Sequence, residues 1–172
     1  VFGQENETIV LTYDSLQNKQ PANISKNPQK LVEVLTANKA GEKEKFDAIF
    51  AWVATNINYD YKAYYSSNGS SKPDINQILK NKMGICLDYA GLMDTLCELA
   101  GITNVTVYGY AKDESFDVND SIYVDNHAWN AVKLNGLWYV YDVTWASGAI
   151  DYFYTKRSKR ILKLMAKFKP RT

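Results

Sequence analysis

The 172-residue sequence predicts a single α+β domain. Apolar residues recur at helical spacing through the first hundred positions, β-rich runs take over from about residue 105, and an Asn-Gly pair divides two apolar runs near the end. Helices followed by strands in separate stretches of chain are the pattern of this class. A composition of 46% hydrophobic and 23% charged residues excludes a wholly disordered, collagen-like or coiled-coil chain. At this length one sizeable core forms without covalent staples.

Residues 1–27 mix polar residues with one strand-like run, Thr8 to Tyr13, and read as an N-terminal arm. Pro28 opens a helix over Gln29 to Asn38, since proline suits the first helical turn, and Gly41 breaks it. The next helix covers Glu42 to Ile57. Its apolar stripe, Phe46, Ile49, Phe50, Val53 and Ile57, falls at i, i+3, i+4, i+7 and i+11. Residues 64–74 carry loop chemistry and predict a surface loop. A short helix follows at Ile75 to Asn81. After Gly84 comes a strongly apolar helix, Cys86 to Ala100, closed by Gly101. Val105 to Tyr110 reads as a strand. An acidic stretch precedes His127 to Leu134, which pairs with Leu137 to Trp145 across Asn135-Gly136, the strongest short-range hairpin signal.

The tail differs. Residues 156–171 carry eight Lys or Arg and no acid, against 12 basic and 19 acidic residues in the rest of the chain. Ile161, Leu162, Met165 and Phe168 lie at i, i+1, i+4 and i+7, so residues 156–172 predict a basic amphipathic helix. Such a helix docks on an acidic body or rests weakly on an anionic membrane surface. The folded domain is placed at 28–155. With a net charge of +1 and no matching motif, the sequence offers nothing for nucleic acid. No run reaches the roughly 18 apolar residues of a membrane span. The sequence begins at Val1 without Met, as a processed chain would, and export to the periplasm or exterior of a bacterium is the expectation.

Two cysteines, Cys86 and Cys97, are too few for a disulfide scaffold. On one helix they would share a face about 16 Å apart, beyond the roughly 7 Å that a disulfide allows. Both thiols should be free. Cys97 is expected in the core. Cys86 follows a glycine and starts a helix, where free N–H groups and the macrodipole favour thiolate over thiol. Taken alone, such a cysteine is more often inert.

The hairpin register changes that reading. If Leu134 pairs with Leu137, His127 lies opposite Thr144 and Asp142 opposite Trp129. His127 and Asp142 then share one face as diagonal neighbours, within side-chain reach. A carboxylate there fixes the imidazole tautomer and stabilises its protonated form. A one-residue bulge would separate the two. Cys86, His127 and Asp142 form a candidate nucleophilic triad. One His and two distant thiols cannot close a zinc site, so no metal or cofactor is expected. Trp129 either shields Asp142 or is a core residue. Trp52, Trp138 and Trp145 are expected in the core, and Asp88 and Asp94 in solvent.

Three blocks carry a resemblance: Gly84-Ile85-Cys86-Leu87-Asp88-Tyr89-Ala90, Asn126-His127-Ala128-Trp129-Asn130, and Trp138-Tyr139-Val140-Tyr141-Asp142-Val143-Thr144-Trp145. In their order and spacing the sequence resembles the transglutaminase-like superfamily, within the papain-like cysteine enzymes. Ile49 to Val53 with Asn56 to Asp60 is similar to the helix preceding the nucleophile in bacterial members. The resemblance covers roughly residues 31–155. It implies a nucleophile helix packed on an antiparallel sheet, with Cys86 as nucleophile, His127 as general base and then acid, and Asp142 as the orienting group.

The expected function is thiol-dependent acyl transfer from amides of a peptide or protein, with hydrolysis favoured. A cross-linking transferase and a non-catalytic interaction module that keeps the fold are the alternatives. The Cys86 N–H is a natural oxyanion donor. A side-chain donor is open among Tyr59, Gln77 and a Trp.

Overall fold

The computed structural model describes residues 23–66, 72–111 and 125–148. The Thr8–Tyr13 run, the acidic stretch and the basic tail lie outside these residues.

Helix α1, Pro28–Thr36, starts where the side chain of Asn27 accepts the Lys30 N–H at 3.0 Å, with Pro28 in its first turn. Helix α2, Glu42–Asn56, starts at Gly41, whose N–H donates to Glu44. It stops one residue short of the expected end because Ile57 is extended. Its stripe is the one read from the sequence: Phe46, Ile49, Phe50, Val53 and Ile57 are all buried.

The next segment departs from expectation. Asn58–Tyr59 forms a short strand, β1, parallel to β2, Met83–Gly84. The Asn58 N–H donates to the Lys82 carbonyl at 2.9 Å and the Asp60 N–H to the Gly84 carbonyl at 3.0 Å. Helix α3, Tyr61–Ser66, occupies the start of the expected loop. None of its residues is buried, so no hydrophobic period announces it. A cap starts it instead, as Asp60 accepts the Ala63 N–H at 2.8 Å. Helix α4, Ile75–Asn81, has the expected bounds, with Asp74 as its cap and Lys82 in the left-handed region at its end.

Helix α5, Cys86–Leu99, is the axis of the domain. It packs on α1, α2 and α4 on one side and on β3 and β4 on the other. Leu92, Met93, Leu96 and Cys97 are fully buried and meet Leu31, Ile49, Trp52 and Val132 in one core. At its start the Asp88 carboxylate accepts the Ile85 N–H at 2.9 Å. One residue on, the Tyr89 hydroxyl donates to the Ile57 carbonyl at 2.5 Å and ties α5 to the end of α2.

Strands β3 (Asn104–Gly109), β4 (His127–Leu134) and β5 (Leu137–Tyr141) form an antiparallel sheet with β4 in the centre. The β4–β5 turn has positive φ at both Asn135 (51°) and Gly136 (83°), as a two-residue hairpin turn requires. Pairing runs unbroken from Leu134–Leu137 to Asn130–Tyr141, in the register read from the sequence. The strand predicted to run to Trp145 nevertheless ends at Tyr141. Asp142 breaks it by capping a four-residue helix, α6, Val143–Ala146: its Oδ1 accepts the Trp145 N–H at 3.0 Å. Trp52 is fully buried beneath the Lys82 ammonium, 4.1 Å from the ring centroid, but Trp138 is exposed at the hairpin rather than in the core.

Candidate functional site

Three chain segments converge at the N-terminus of α5. Cys86 is the first residue of that helix, His127 the first of β4, and Asp142 the residue between β5 and α6. The structure therefore brings the three predicted site residues together. His127 Nε2 lies 2.5 Å from Asp142 Oδ2, and Asp142 is almost wholly buried. The other face of this relationship is Cys86, which lies within side-chain hydrogen-bonding reach of His127. With Nε2 engaged by the carboxylate, Nδ1 is the nitrogen left for the sulfur.

The sequence placed Asp142 within the β-ladder, opposite Trp129. The structure corrects the route and keeps the result. The ladder ends one residue earlier, and Asp142 reaches the imidazole from a helix cap. One carboxylate thus performs two tasks, with Oδ2 toward His127 and Oδ1 on the Trp145 N–H.

The site's electrostatics follow from these contacts. Burial alone would push the Cys86 thiol up. The His127 side chain and the N–H groups of Ala128 and Leu87 outweigh it, and the thiol titrates below its ordinary value. Burial works against a protonated imidazole, yet the hydrogen bond to Asp142, followed by the contact with Cys86, raises His127 to about 9. Each partner stabilises the charged form of the other. Sulfur as thiolate beside an imidazolium is the arrangement a nucleophilic cysteine needs.

Second contacts hold these side chains in place. Two indoles pack on the imidazole at small interplanar angles: Trp145 at 5.3 Å and 20°, Trp129 at 5.9 Å and 29° between ring centroids. Both are partly buried. Trp145 is thus a site residue, where the sequence suggested plain core. Asn126, just before His127, clasps the end of β3: its Oδ1 accepts the Ala111 N–H at 2.7 Å and its Nδ2 donates to the Ala111 carbonyl at 3.1 Å.

Asp94 is also not a solvated residue. Its carboxylate accepts from Asn104, from Thr106 and, at 3.2 Å, from Asn130. Fully buried Asn130 donates as well to the Ala90 carbonyl at 3.1 Å, and the Tyr141 hydroxyl donates to Asn104 at 2.6 Å. This network joins α5 to all three strands. Asp88 likewise turns inward to the helix start, and burial raises its carboxyl above the ordinary value. No single-element period signals such contacts, because each requires a second or third strand to be present.

Of the oxyanion candidates, Tyr59 lies beside Cys86. Its partner in the β1–β2 pair is Gly84, two residues before Cys86. Burial, then the charge of Cys86, raises its phenol well above the usual range, so it stays a hydrogen-bond donor. Gln77 sits in the first turn of α4, its N–H on Asp74.

The sequence model of the Transglutaminase-like superfamily matches residues 29–143, a span that contains all three site residues. The chain belongs to that superfamily. It is 37% identical over 123 residues to the mouse kyphoscoliosis peptidase, covering 70% of this chain and 18% of that protein. The human kyphoscoliosis peptidase is 36% identical over 128 residues, covering 73% and 19%. The chain therefore spans less than a fifth of the length of these relatives. Among solved structures, a Cytophaga hutchinsonii protein provisionally assigned to the cysteine proteases shares the fold, with a TM-score of 0.52 and 24% identity over 80% of this chain and 44% of that one. Superfamily and neighbour agree on an α+β, transglutaminase-like fold.

Proposed function

We propose that this domain cleaves amide bonds of peptides or proteins through a thioester on Cys86. The Cys86 thiolate attacks the carboxamide carbonyl, and the backbone N–H of Cys86 with the Tyr59 hydroxyl stabilises the oxyanion. His127 gives its proton to the leaving amine as the C–N bond breaks. Neutral His127 then takes a proton from water, which attacks the thioester, releases the acid and restores the thiolate–imidazolium pair. Asp142 holds the ring in one tautomer throughout.

The observation that carries this reading is the 2.5 Å contact between His127 and Asp142 on a ring whose other nitrogen is left to Cys86. Hydrolysis is favoured over transfer because water needs no binding site of its own, and no amine-donor site is legible among the described residues.

The test begins with iodoacetamide at pH 6. Cys86 is expected to label on the order of 100-fold faster than an ordinary thiol, with Cys97 protected. A denatured, disulfide-free protein substrate such as reduced casein is then offered with and without a fluorescent primary amine. New peptide termini support hydrolysis. Amine incorporation without cleavage replaces it with cross-linking. Slow labelling with an ordinary thiol profile, together with neither product, leaves a non-catalytic interaction module.

A further inference from the structure

We propose that Trp129 and Trp145 are positioning residues that clamp the His127 imidazole by its faces, favour its protonated form and hold it in the one ring orientation that links Asp142 to Cys86. Gly109 is the vacancy that lets one of them in. The proposal rests on the reading of His127 as the acid–base residue.

The imidazole has two nitrogens at its edge and two π faces. Its edge is committed: Nε2 to Asp142, and the remaining nitrogen to Cys86. Rotation about the Cβ–Cγ bond would break both contacts at once. Indoles packed nearly parallel to the ring at 5.3 and 5.9 Å obstruct that rotation. An indole face also attracts a cation more than a neutral ring, so the same packing favours imidazolium. Among the described residues, the titratable groups facing His127 are Asp142, from the β5–α6 junction, and Cys86, from α5. Tyr59, from β1, faces Cys86. The indoles add an uncharged, directional preference to these charges.

Two independent features show how each indole is aimed. Trp145 is set by the acid itself, because the carboxylate that binds His127 also accepts the Trp145 N–H at 3.0 Å. The break of β5 at Tyr141 follows from this, since a strand continuing past Asp142 would carry Trp145 away from the ring. Trp129 is set by alternation on β4, two residues after His127 and on the same side of the strand. Its ring tip closes over Gly109, the residue paired with His127 across β3–β4. A Cβ at Gly109 would lie 2.5 Å from Trp129 Cη2 and 3.3 Å from Cζ3. A rigid indole cannot yield by bending, so any side chain there displaces the ring from the imidazole.

The chain has one histidine, so its Cε1–H resonance is a single unassisted reporter by NMR. The titration is to be followed in the untagged wild-type chain and in Trp145→Leu, Trp145→Phe, Trp129→Leu, Trp129→Phe and Gly109→Ala. Each Leu variant should lower the proton affinity of His127 about three- to tenfold. The Phe variants should keep most of it, and Gly109→Ala should behave like a weakened Trp129 variant. The basic limb of the peptide-cleavage profile should move to lower pH by the same amount. Where a Leu variant does not fold, the Phe and Gly109→Ala chains carry the comparison. Superimposable His127 titrations in wild type, the folded Leu variants and Gly109→Ala would reduce both indoles to packing and overturn the proposal. If wild type cleaves nothing yet the titrations shift as stated, the clamp stands and the proposed activity falls.

Discussion

Cys86 and Cys97 lie on the same helix, eleven residues apart and both buried, yet they titrate in opposite directions. Cys86 occupies the first turn, where unpaired N–H groups converge, and it meets an imidazole and the Ala128 and Leu87 N–H groups. Its thiol is lowered despite burial. Cys97 sits near the other end, among Leu96, Asp94 and Tyr141. Burial, and then the Asp94 carboxylate, push it up to about 12. Residue type and helix are the same for both. What separates a lowered thiol from a raised one is which end of the helix it occupies and which strand faces it.

Substitution is the bluntest way to break the comparison. Cys86→Ala is expected to remove turnover of a casein-type substrate by at least about 10⁴-fold, while Cys97→Ala should stay within about twofold of wild type in kcat/KM. Chemical denaturation should reverse the ranking, with Cys97→Ala losing about 1 kcal/mol for its vacated core volume. Equal losses of turnover in both variants would contradict the assignment of Cys86.

Asp142→Asn tests whether the contrast depends on the acid. An amide oxygen keeps the cap on Trp145, so the fold should persist. The charge that holds the imidazolium is lost, and kcat should fall about 10²- to 10⁴-fold. Iodoacetamide should then label Cys86 with a profile moved toward that of an ordinary thiol. Full activity in this variant would remove Asp142 from the mechanism.

Folding stability against pH is the finest measure. In the proposed resting state, imidazolium beside thiolate, the native pair holds one proton between about 6.5, the ordinary imidazole value, and about 9, the folded value. The unfolded chain also holds one, as thiol beside neutral imidazole. The proton counts match, so the pair contributes no slope in that window. In Cys86→Ala only the histidine is left. Its folded value stays raised by Asp142, so its stabilising contribution is complete below about 6.5 and fades as pH rises through the folded value. Urea midpoints of this variant should decline over that range, by about 3 kcal/mol at most, where wild type is level. Parallel curves would mean that the thiolate–imidazolium pair does not exist in the resting protein.

Much of this was open to reading in the primary structure. Helices with a buried stripe declare it by period, as α2 does through Phe46, Ile49, Phe50, Val53 and Ile57. The hairpin declares its register by Asn135-Gly136, because only a tight turn with two positive φ angles joins Leu134 to Leu137. That register also placed His127 beside Asp142, and the flanking blocks added Cys86 as the third candidate. Other features gave no such sign. Helix α3 buries nothing and rests on the Asp60 cap, so periodicity passes over it. The β1–β2 pair joins residues far apart in the chain by two-residue strands, too short to show alternation.

Local order therefore determined most of the elements, their sequence and the choice of Cys86, His127 and Asp142 as candidates, since backbone geometry and apolar period act between near neighbours. Tertiary structure alone decided that Asp142 would leave the sheet to cap α6, that Asp94 would turn inward to β3 and β4, and that Trp145 would lie on the imidazole. Each of those outcomes weighs a hydrogen bond or a stacking contact between distant segments against the local preference to extend or to face water. That balance exists only once α5 has packed against β4.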